Sequence, residues 1–336
     1  MEYLLFLSLI VLSLGYSFEF ADLAKSINSK KTTWKASDNV TISNWKSLIG
    51  TLSGDTQLPT KHVPISGIPE SFDSGEYWPE CQSINEIRDQ SSCGDCYMIA
   101  AVESATDRLC IASHGEIQDR LSGEDVLACC DTCGGGCLGG FASTVWYWFN
   151  RTGVTTGGDY GSKEWCYPYS LPPCKRKGTG APYPDCGKIE PTPTCKKQCQ
   201  EGYPISYEKD KHFFNKPYAV ERSEQAYQME LMTNGPFQVS FDMYEDFGVY
   251  KSGICQHIEG KLVGGHSVKL VGWGVENGIP YWKVANSWNE YWGEKGFFRI
   301  LRGKNECGIE SSSFTGLPRL NYTVCFQITY EFVDTD

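Results

Sequence analysis

Two cysteines three residues apart, Cys93 and Cys96, follow a glutamine in the stretch Arg88-Asp-Gln-Ser-Ser-Cys-Gly-Asp-Cys-Tyr-Met-Ile99. A cysteine acts as a nucleophile through its thiolate, so it needs a base to take the proton and a group to orient that base. The chain offers five histidines. His62 lies in the proline-punctuated stretch Pro59 to Gly67, and His114, His212 and His257 sit among polar residues and read as surface side chains. His266 differs, because Gly264-Gly265-His266 opens the apolar pattern of Val268, Leu270 and Val271. Two glycines before a buried strand leave room for a ligand backbone. Twenty residues on, Asn286-Ser287-Trp288 ends another strand. An amide there can hold one imidazole tautomer, and Trp288 can shield that bond from water. Taken singly, each residue also has a structural reading: a bridged cysteine, a core histidine.

The elements that must carry these groups follow from periodicity. Ile99, Val102, Ala105, Thr106 and Leu109 recur at helical spacing, and no Pro or Gly interrupts Cys96 to Ser113. Cys96 then sits at a helix N-terminus, where unpaired N–H groups and the helix dipole favour a thiolate. Ser122 to Asp125 resembles a capping box, and Phe141 to Asn150 is an aromatic-rich helix that should end near Gly153. Asn234-Gly-Pro236 closes a helix begun at Ser223. Strand patterns then take over at Phe237–Phe241, His266–Trp273, Pro280–Asn286 and Gly296–Leu301. Residues 153–220 are rich in Gly, Pro and Cys with little periodicity, a long loop region whose order must come from disulfides. A helical first half and an antiparallel β second half predict an α+β fold in two lobes.

Sixteen cysteines in 336 residues point to an oxidising compartment. Leu4 to Leu14 is a short apolar run before Gly15 and Ser17, which reads as a secretory signal over residues 1–17. It is too short to cross a bilayer, and no later stretch holds ~18 uninterrupted apolar residues. The net charge of −11, without a long Lys/Arg block, argues against nucleic-acid binding. Residues 18–67 hold no cysteine, and cysteines begin at Cys81. That shift predicts a removable prosegment before a disulfide-stapled domain. Within it, Asp22–Asn28 reads as a short helix, with Trp34 and Trp45 as isolated anchors. A zinc site built from Cys129, Cys130, Cys133 and Cys137 competes with disulfides but is disfavoured behind a signal segment.

Together these blocks resemble the papain family of cysteine proteases, whose signature is Cys-Gly-(Ser/Ala)-Cys-(Trp/Tyr) with His and Asn far downstream. Here Cys93-Gly-Asp-Cys-Tyr97, Gly264-Gly-His266 and Asn286-Ser-Trp288 occur in that order. Within the family the chain is similar to the cathepsin B group. Ile68 to Asp73 resembles a mature start, and Val271 to Asn277 and Gly296 to Gly303 match family blocks. Phe20 to Gly54 resembles the short propeptide of that group.

The resemblance implies a two-lobe fold, helical on the left with an antiparallel β-barrel on the right, and a peptidase domain over residues 68–336. It makes Cys96 the nucleophile, His266 the general base and acid, Asn286 the residue that orients His266, and Gln90 an oxyanion donor. Gly139, Gly140 and Gly265 would pair with substrate backbone, while Trp288, Ser312, Ser240, Ser267 and Ala142 would line the cleft. It also implies the disulfides Cys81–Cys110, Cys93–Cys137, Cys129–Cys195, Cys130–Cys133, Cys166–Cys199 and Cys174–Cys186, leaving Cys255, Cys307 and Cys325. A bridge between Cys255 and Cys325 is a further hypothesis. Expected partners are protein or peptide substrates, the chain's own propeptide and cystatin-type inhibitors, for a monomer without metal or cofactor. The expected location is the secretory pathway, ending in the lysosome or outside the cell.

The chain departs from the pattern at several places. The occluding-type loop, about 174–186, carries Arg176 and Lys177 where the group has two histidines that hold a substrate's C-terminal carboxylate. As a pair they read either as carboxylate binders or as a solvated loop tip. Tyr291 replaces an aspartate that latches the loop, and Leu138 replaces an asparagine. Ser312 replaces the glutamate that admits arginine to the pocket for the second residue on the acyl side. Asp95 beside Cys96 should raise the thiol pKa unless its side chain faces solvent. These changes leave a non-catalytic binding or decoy protein as the alternative, against which the intact Gln90, Cys96, His266 and Asn286 weigh. Asn39-Val-Thr41, Asn150-Arg-Thr152 and Asn321-Tyr-Thr323 are glycosylation triplets.

Overall fold

The computed structural model describes residues 20–40, 42 and 44–320. The expected signal segment, Asn321 and Cys325 lie outside the described residues.

The helix Cys96–Ala112 is the axis of the molecule. Its apolar positions pack with the helices Gly123–Cys129 and Ala142–Arg151 in one core, which includes Trp146, Phe149 and Phe214. Its polar positions are buried as well. Lys269 Nζ donates to Asp107 Oδ2 at 2.8 Å and Arg108 pairs with Glu230 at 2.9 Å, all four side chains being without exposure. These ion pairs join the helical lobe to the β lobe. Breaking one by removing a partner would strand a buried charge at a cost of about 3–5 kcal/mol.

The β lobe is an eight-stranded sheet. Its order runs Trp34–Ala36, Tyr250–Cys255, Phe297–Leu301, Ile279–Ala285, Leu262–Glu276, Phe237–Tyr244, Ser313–Phe314, with Phe72–Asp73 also paired to Leu262–Glu276. All of these pairings are antiparallel except Tyr250–Cys255 with Phe297–Leu301. A second core of Trp273, Trp282, Trp288, Trp292 and Phe298 fills this lobe.

The N-terminal segment is part of both lobes. Residues 20–29 are helical, and Trp34–Ala36 adds a strand to the sheet edge, with Trp34 buried and its indole N–H bonded to the Gln256 carbonyl at 2.9 Å. The loop region after Gly153 is held by Cys166–Cys199, Cys129–Cys195 and Cys174–Cys186. The remaining bridges are Cys81–Cys110, Cys93–Cys137 and Cys130–Cys133. With Cys129, Cys130, Cys133 and Cys137 all bridged, no thiolates remain there for zinc. Cys255 is buried and has no bridge among the described residues, and its hypothesised partner Cys325 lies outside them.

Candidate active site

Cys96 begins the central helix and is fully buried. Its Sγ receives the Ser267 N–H at 3.5 Å, which sets the thiol against the Leu262–Glu276 strand beside His266. His266 does not open that strand, as its sequence suggested, but lies inside it. The strand extends backward because Gly265 and Gly264 pair with Asp242 and Met243. The His266 Nε2 stands 2.8 Å from Asn286 Oδ1. A carboxamide oxygen only accepts, so Nε2 carries the hydrogen and Nδ1 keeps the basic lone pair. That Nδ1 is buried and has no other partner. The rings of Trp288 and Phe241 flank the imidazole, with centroids 5.1 and 5.7 Å away. They exclude water from its bond to Asn286.

Gln90 is held at both ends of its amide. Oε1 accepts from Ser287 Oγ at 2.6 Å, while Nε2 donates to the Cys93 carbonyl at 2.8 Å and to the Ser47 carbonyl at 3.0 Å. The Cys93–Cys137 bridge therefore anchors the loop that aims Gln90. Ser47 belongs to the N-terminal segment, which occupies the donor that an oxyanion would need.

The same segment then runs over the thiol. The Gly50 and Thr51 N–H groups donate to the Gly265 carbonyl, both at 3.2 Å. Gly140 N–H donates to Gly50 O at 2.8 Å, and Leu52 N–H to Gly140 O at 3.0 Å. Thr51 Oγ1 lies 3.8 Å from Cys96 Sγ and 2.7 Å from Ser267 Oγ, which is itself 2.7 Å from Ser240 Oγ. A Cβ on Gly265 would fall 2.5 Å from the Thr51 carbonyl oxygen, so the close main-chain approach requires glycine there. Gly139 faces the same segment, with its would-be Cβ 2.9 Å from Gly50 O.

Covered in this way, Cys96 and His266 are both held in their uncharged forms. Burial pushes the Cys96 thiol up to about 12, against the donors Ser267 and Thr51, and Asp95 adds to the rise. Burial pushes His266 down to about 4, opposed by Asn286 and assisted by Arg176.

Ser312, Ser240 and Gly265 line a cavity of about 830 Å³ together with Arg222 and residues 51–58 of the N-terminal segment. Ser267 reaches it through Ser240, whereas Ala142 is buried at the start of its helix and Trp288 belongs to the imidazole's surroundings.

Three expectations change. Arg176 is not a solvated loop tip: it is buried, its guanidinium donates to the Ser91 carbonyl at 3.0 Å, and it lies 6.0 Å from the Trp288 ring centre. Lys177 alone is exposed. Tyr291 meets Tyr183 of the loop edge-on at 6.1 Å, an aromatic contact in place of a charged latch. Asp95 faces inward, without exposure, and takes the Tyr169 O–H at 2.6 Å. Of the glycosylation triplets, Asn150 donates its amide to Phe214 O at 2.9 Å, and Asn39 backs its carbonyl against Gly178 of the loop. The contacts of Ser47, Thr51, Tyr169 and Ser287 at the site could not be read from the sequence, because they join distant segments.

The family described as papain family cysteine protease matches residues 68–317. A cathepsin B-like cysteine proteinase 6 of Caenorhabditis elegans is 51% identical over 264 residues, 78% of this chain and 69% of that protein. A cathepsin B-like cysteine proteinase of Schistosoma japonicum is 50% identical, over 74% of this chain and 73% of its own. Among solved structures, proCathepsin B S9 from Trypanosoma congolense superposes with a TM-score of 0.77 at 36% identity, covering 89% of this chain and 97% of that one. That solved structure is a proform, and its match covers more of this chain than residues 68–317. With a family match over most of the chain and cathepsin B-like relatives at about half identity, the chain belongs to the papain family of cysteine proteases, as a cathepsin B-like member.

Proposed function

We propose that this chain is the secreted zymogen of a cysteine endopeptidase, with a signal segment at 1–17, an inhibitory propeptide at 18–67 and the peptidase at 68–336. The observation that carries this reading is the pairing of residues 50–52 with Gly265 and Gly140 directly over Cys96. It is the contact a peptide substrate would make, and it is centred on a thiol that lies beside an oriented imidazole.

Once the propeptide leaves, water reaches the cleft and the thiol proton passes to His266 Nδ1. The Cys96 thiolate attacks the scissile carbonyl carbon. The oxyanion takes hydrogen bonds from Gln90 Nε2 and the Cys96 N–H, donors typically worth about 10²–10³ in rate each. His266 gives its proton to the leaving amine, then activates water to hydrolyse the thioester. The propeptide itself escapes cleavage because its parts are out of phase. Ser47 supplies the carbonyl at Gln90 while Thr51 lies over the sulfur, so no single peptide group has its carbon at Sγ and its oxygen at Gln90.

Endopeptidase cleavage should outweigh release of C-terminal dipeptides. Arg176 is engaged with Ser91 and buried under the loop disulfide, which leaves Lys177 as the one exposed member of that pair to meet a carboxylate. The test is digestion of an internally quenched peptide and of its C-terminally amidated form by the processed enzyme. Equal internal cleavage of both is expected. Stepwise dipeptide loss confined to the free acid would contradict it.

A further inference from the structure

The loop ahead of the nucleophile holds a carboxyl group that the chemistry above does not use. Asp95 immediately precedes Cys96 and occupies the N-cap position of the central helix, yet its side chain accepts no bond from that helix. It turns inward and is fully buried. One oxygen, Oδ2, lies 2.6 Å from the Tyr169 hydroxyl, and the other, Oδ1, has no partner. The same Tyr169 hydroxyl lies 3.3 Å from the Gln90 carbonyl. Tyr169 owns one hydrogen and faces two acceptors.

The arrangement has two states. If Asp95 is a neutral acid, it donates to the Tyr169 oxygen, and Tyr169 donates to the Gln90 carbonyl. Every hydrogen then has an acceptor, and the residue that supplies the oxyanion donor is tied down. If Asp95 is a carboxylate, it takes the Tyr169 hydrogen for itself. Gln90 O then loses its donor from Tyr169, and a full negative charge sits next to Cys96 with one oxygen unsatisfied. A buried carboxylate with one neutral donor is strongly disfavoured relative to its acid.

The other charges around Asp95 are Asp89 and Glu124, which disfavour its ionisation, and Arg176, which favours it. Tyr169, Tyr97 and Cys96 are the remaining titratable neighbours, all neutral when Asp95 titrates first. Burial is the largest influence and holds the carboxyl well above its usual range.

We propose that Asp95 is a positioning residue that makes the Cys96–His266 pair pH-dependent through Tyr169 and Gln90. As an acid it completes the chain Asp95–Tyr169–Gln90. On ionisation its proton goes to solvent, and the new charge drives the His266 proton back onto the Cys96 sulfur, leaving a neutral, unreactive pair. The enzyme would therefore be confined to acidic compartments by its own active-site loop. This inference rests on the catalytic reading of Cys96 and Gln90 given above.

Asp95→Asn is the direct test, because an amide N–H can donate to Tyr169 permanently, as the acid does. The processed wild type and variant are compared by iodoacetamide labelling of Cys96, followed by peptide mass, and by kcat/KM between pH 4 and 9. The alkaline midpoint of both profiles should rise by at least about one pH unit in Asp95→Asn, making labelling about tenfold faster above the wild-type midpoint. Tyr169→Phe breaks the chain without removing the acid and should lower kcat more than it changes KM. Superimposable pH profiles with normal labelling would overturn this proposal alone. Absence of Cys96 labelling in both proteins would overturn the catalytic reading and this one with it.

Discussion

Replacing Gly50 by valine should uncover the thiol without touching the peptidase. A Cβ at Gly50 would lie 2.0 Å from the Gly94 carbonyl oxygen and 2.5 Å from its carbon, well inside the 3.0 Å that real Cβ contacts respect. Both obstacles are main chain, next to the nucleophile, so no side chain can rotate away. The segment must lift by an ångström or more. Its bonds to Gly265 and Gly140 now span 2.8–3.2 Å, and such bonds do not survive that displacement. Gly50 and Thr51 share one acceptor, so the loss amounts to roughly three hydrogen bonds, about 1.5–4.5 kcal/mol in all. That corresponds to a shift of roughly 10- to 2,000-fold toward the uncovered state. The assay is the rate of Cys96 alkylation by iodoacetamide in the intact proform at pH 7.5, with intact mass confirming that no processing has occurred. Faster labelling by at least tenfold is expected. An unchanged rate in a folded variant would refute the claim that these main-chain pairings hold the cleft closed.

Three further outcomes are expected. Ser312→Glu places a carboxylate in the cavity that also holds Ser240 and Gly265. It should raise kcat/KM for arginine at the second acyl-side position at least tenfold over wild type, which should favour apolar residues; a fluorogenic substrate panel reads both. In the proform His266 is held down at about 4 from an ordinary value near 6.5, so between those pH values the unfolded chain binds more protons than the folded one. The associated stability is present above pH ~6.5 and fades as pH falls toward 4. The thermal midpoint of an unprocessable Cys96→Ser proform should therefore drop over that window, and drop less in Cys96→Ser/His266→Gln. Tyr291→Ala removes the edge contact with Tyr183. It should loosen the loop by about 0.5–1.5 kcal/mol, seen as faster amide exchange in residues 175–185 with little change in overall stability.

Two of the candidate site residues were legible because each sits where a local pattern begins or ends. Cys96 starts a long uninterrupted helix, and Asn286 follows the Ile279–Ala285 strand. His266 was found for the right residues but given the wrong place. Gly264 and Gly265 looked like a strand's approach, whereas they pair within it to make the floor of the cleft. The strand Tyr250–Cys255 escaped notice because Ser252 and Gly253 break its alternation. Nothing local could reveal that Asp107 and Arg108 on the central helix are buried, since their partners Lys269 and Glu230 come from the other lobe. The inward turns of Asp95 and Arg176 were hidden for the same reason, as each depends on a group more than seventy residues away: Tyr169 for Asp95, Ser91 for Arg176.

On the proposed reading, Cys96 is a nucleophile kept silent by the segment lying across it. Active-site labelling with a peptidyl epoxide at pH 5.5, before and after removal of the N-terminal segment and mapped by peptide mass, tests it most directly. A single adduct on Cys96 that appears only after removal is the predicted result. No adduct on Cys96 in the processed, folded protein, or equal labelling of Cys96 in the intact proform, would contradict it.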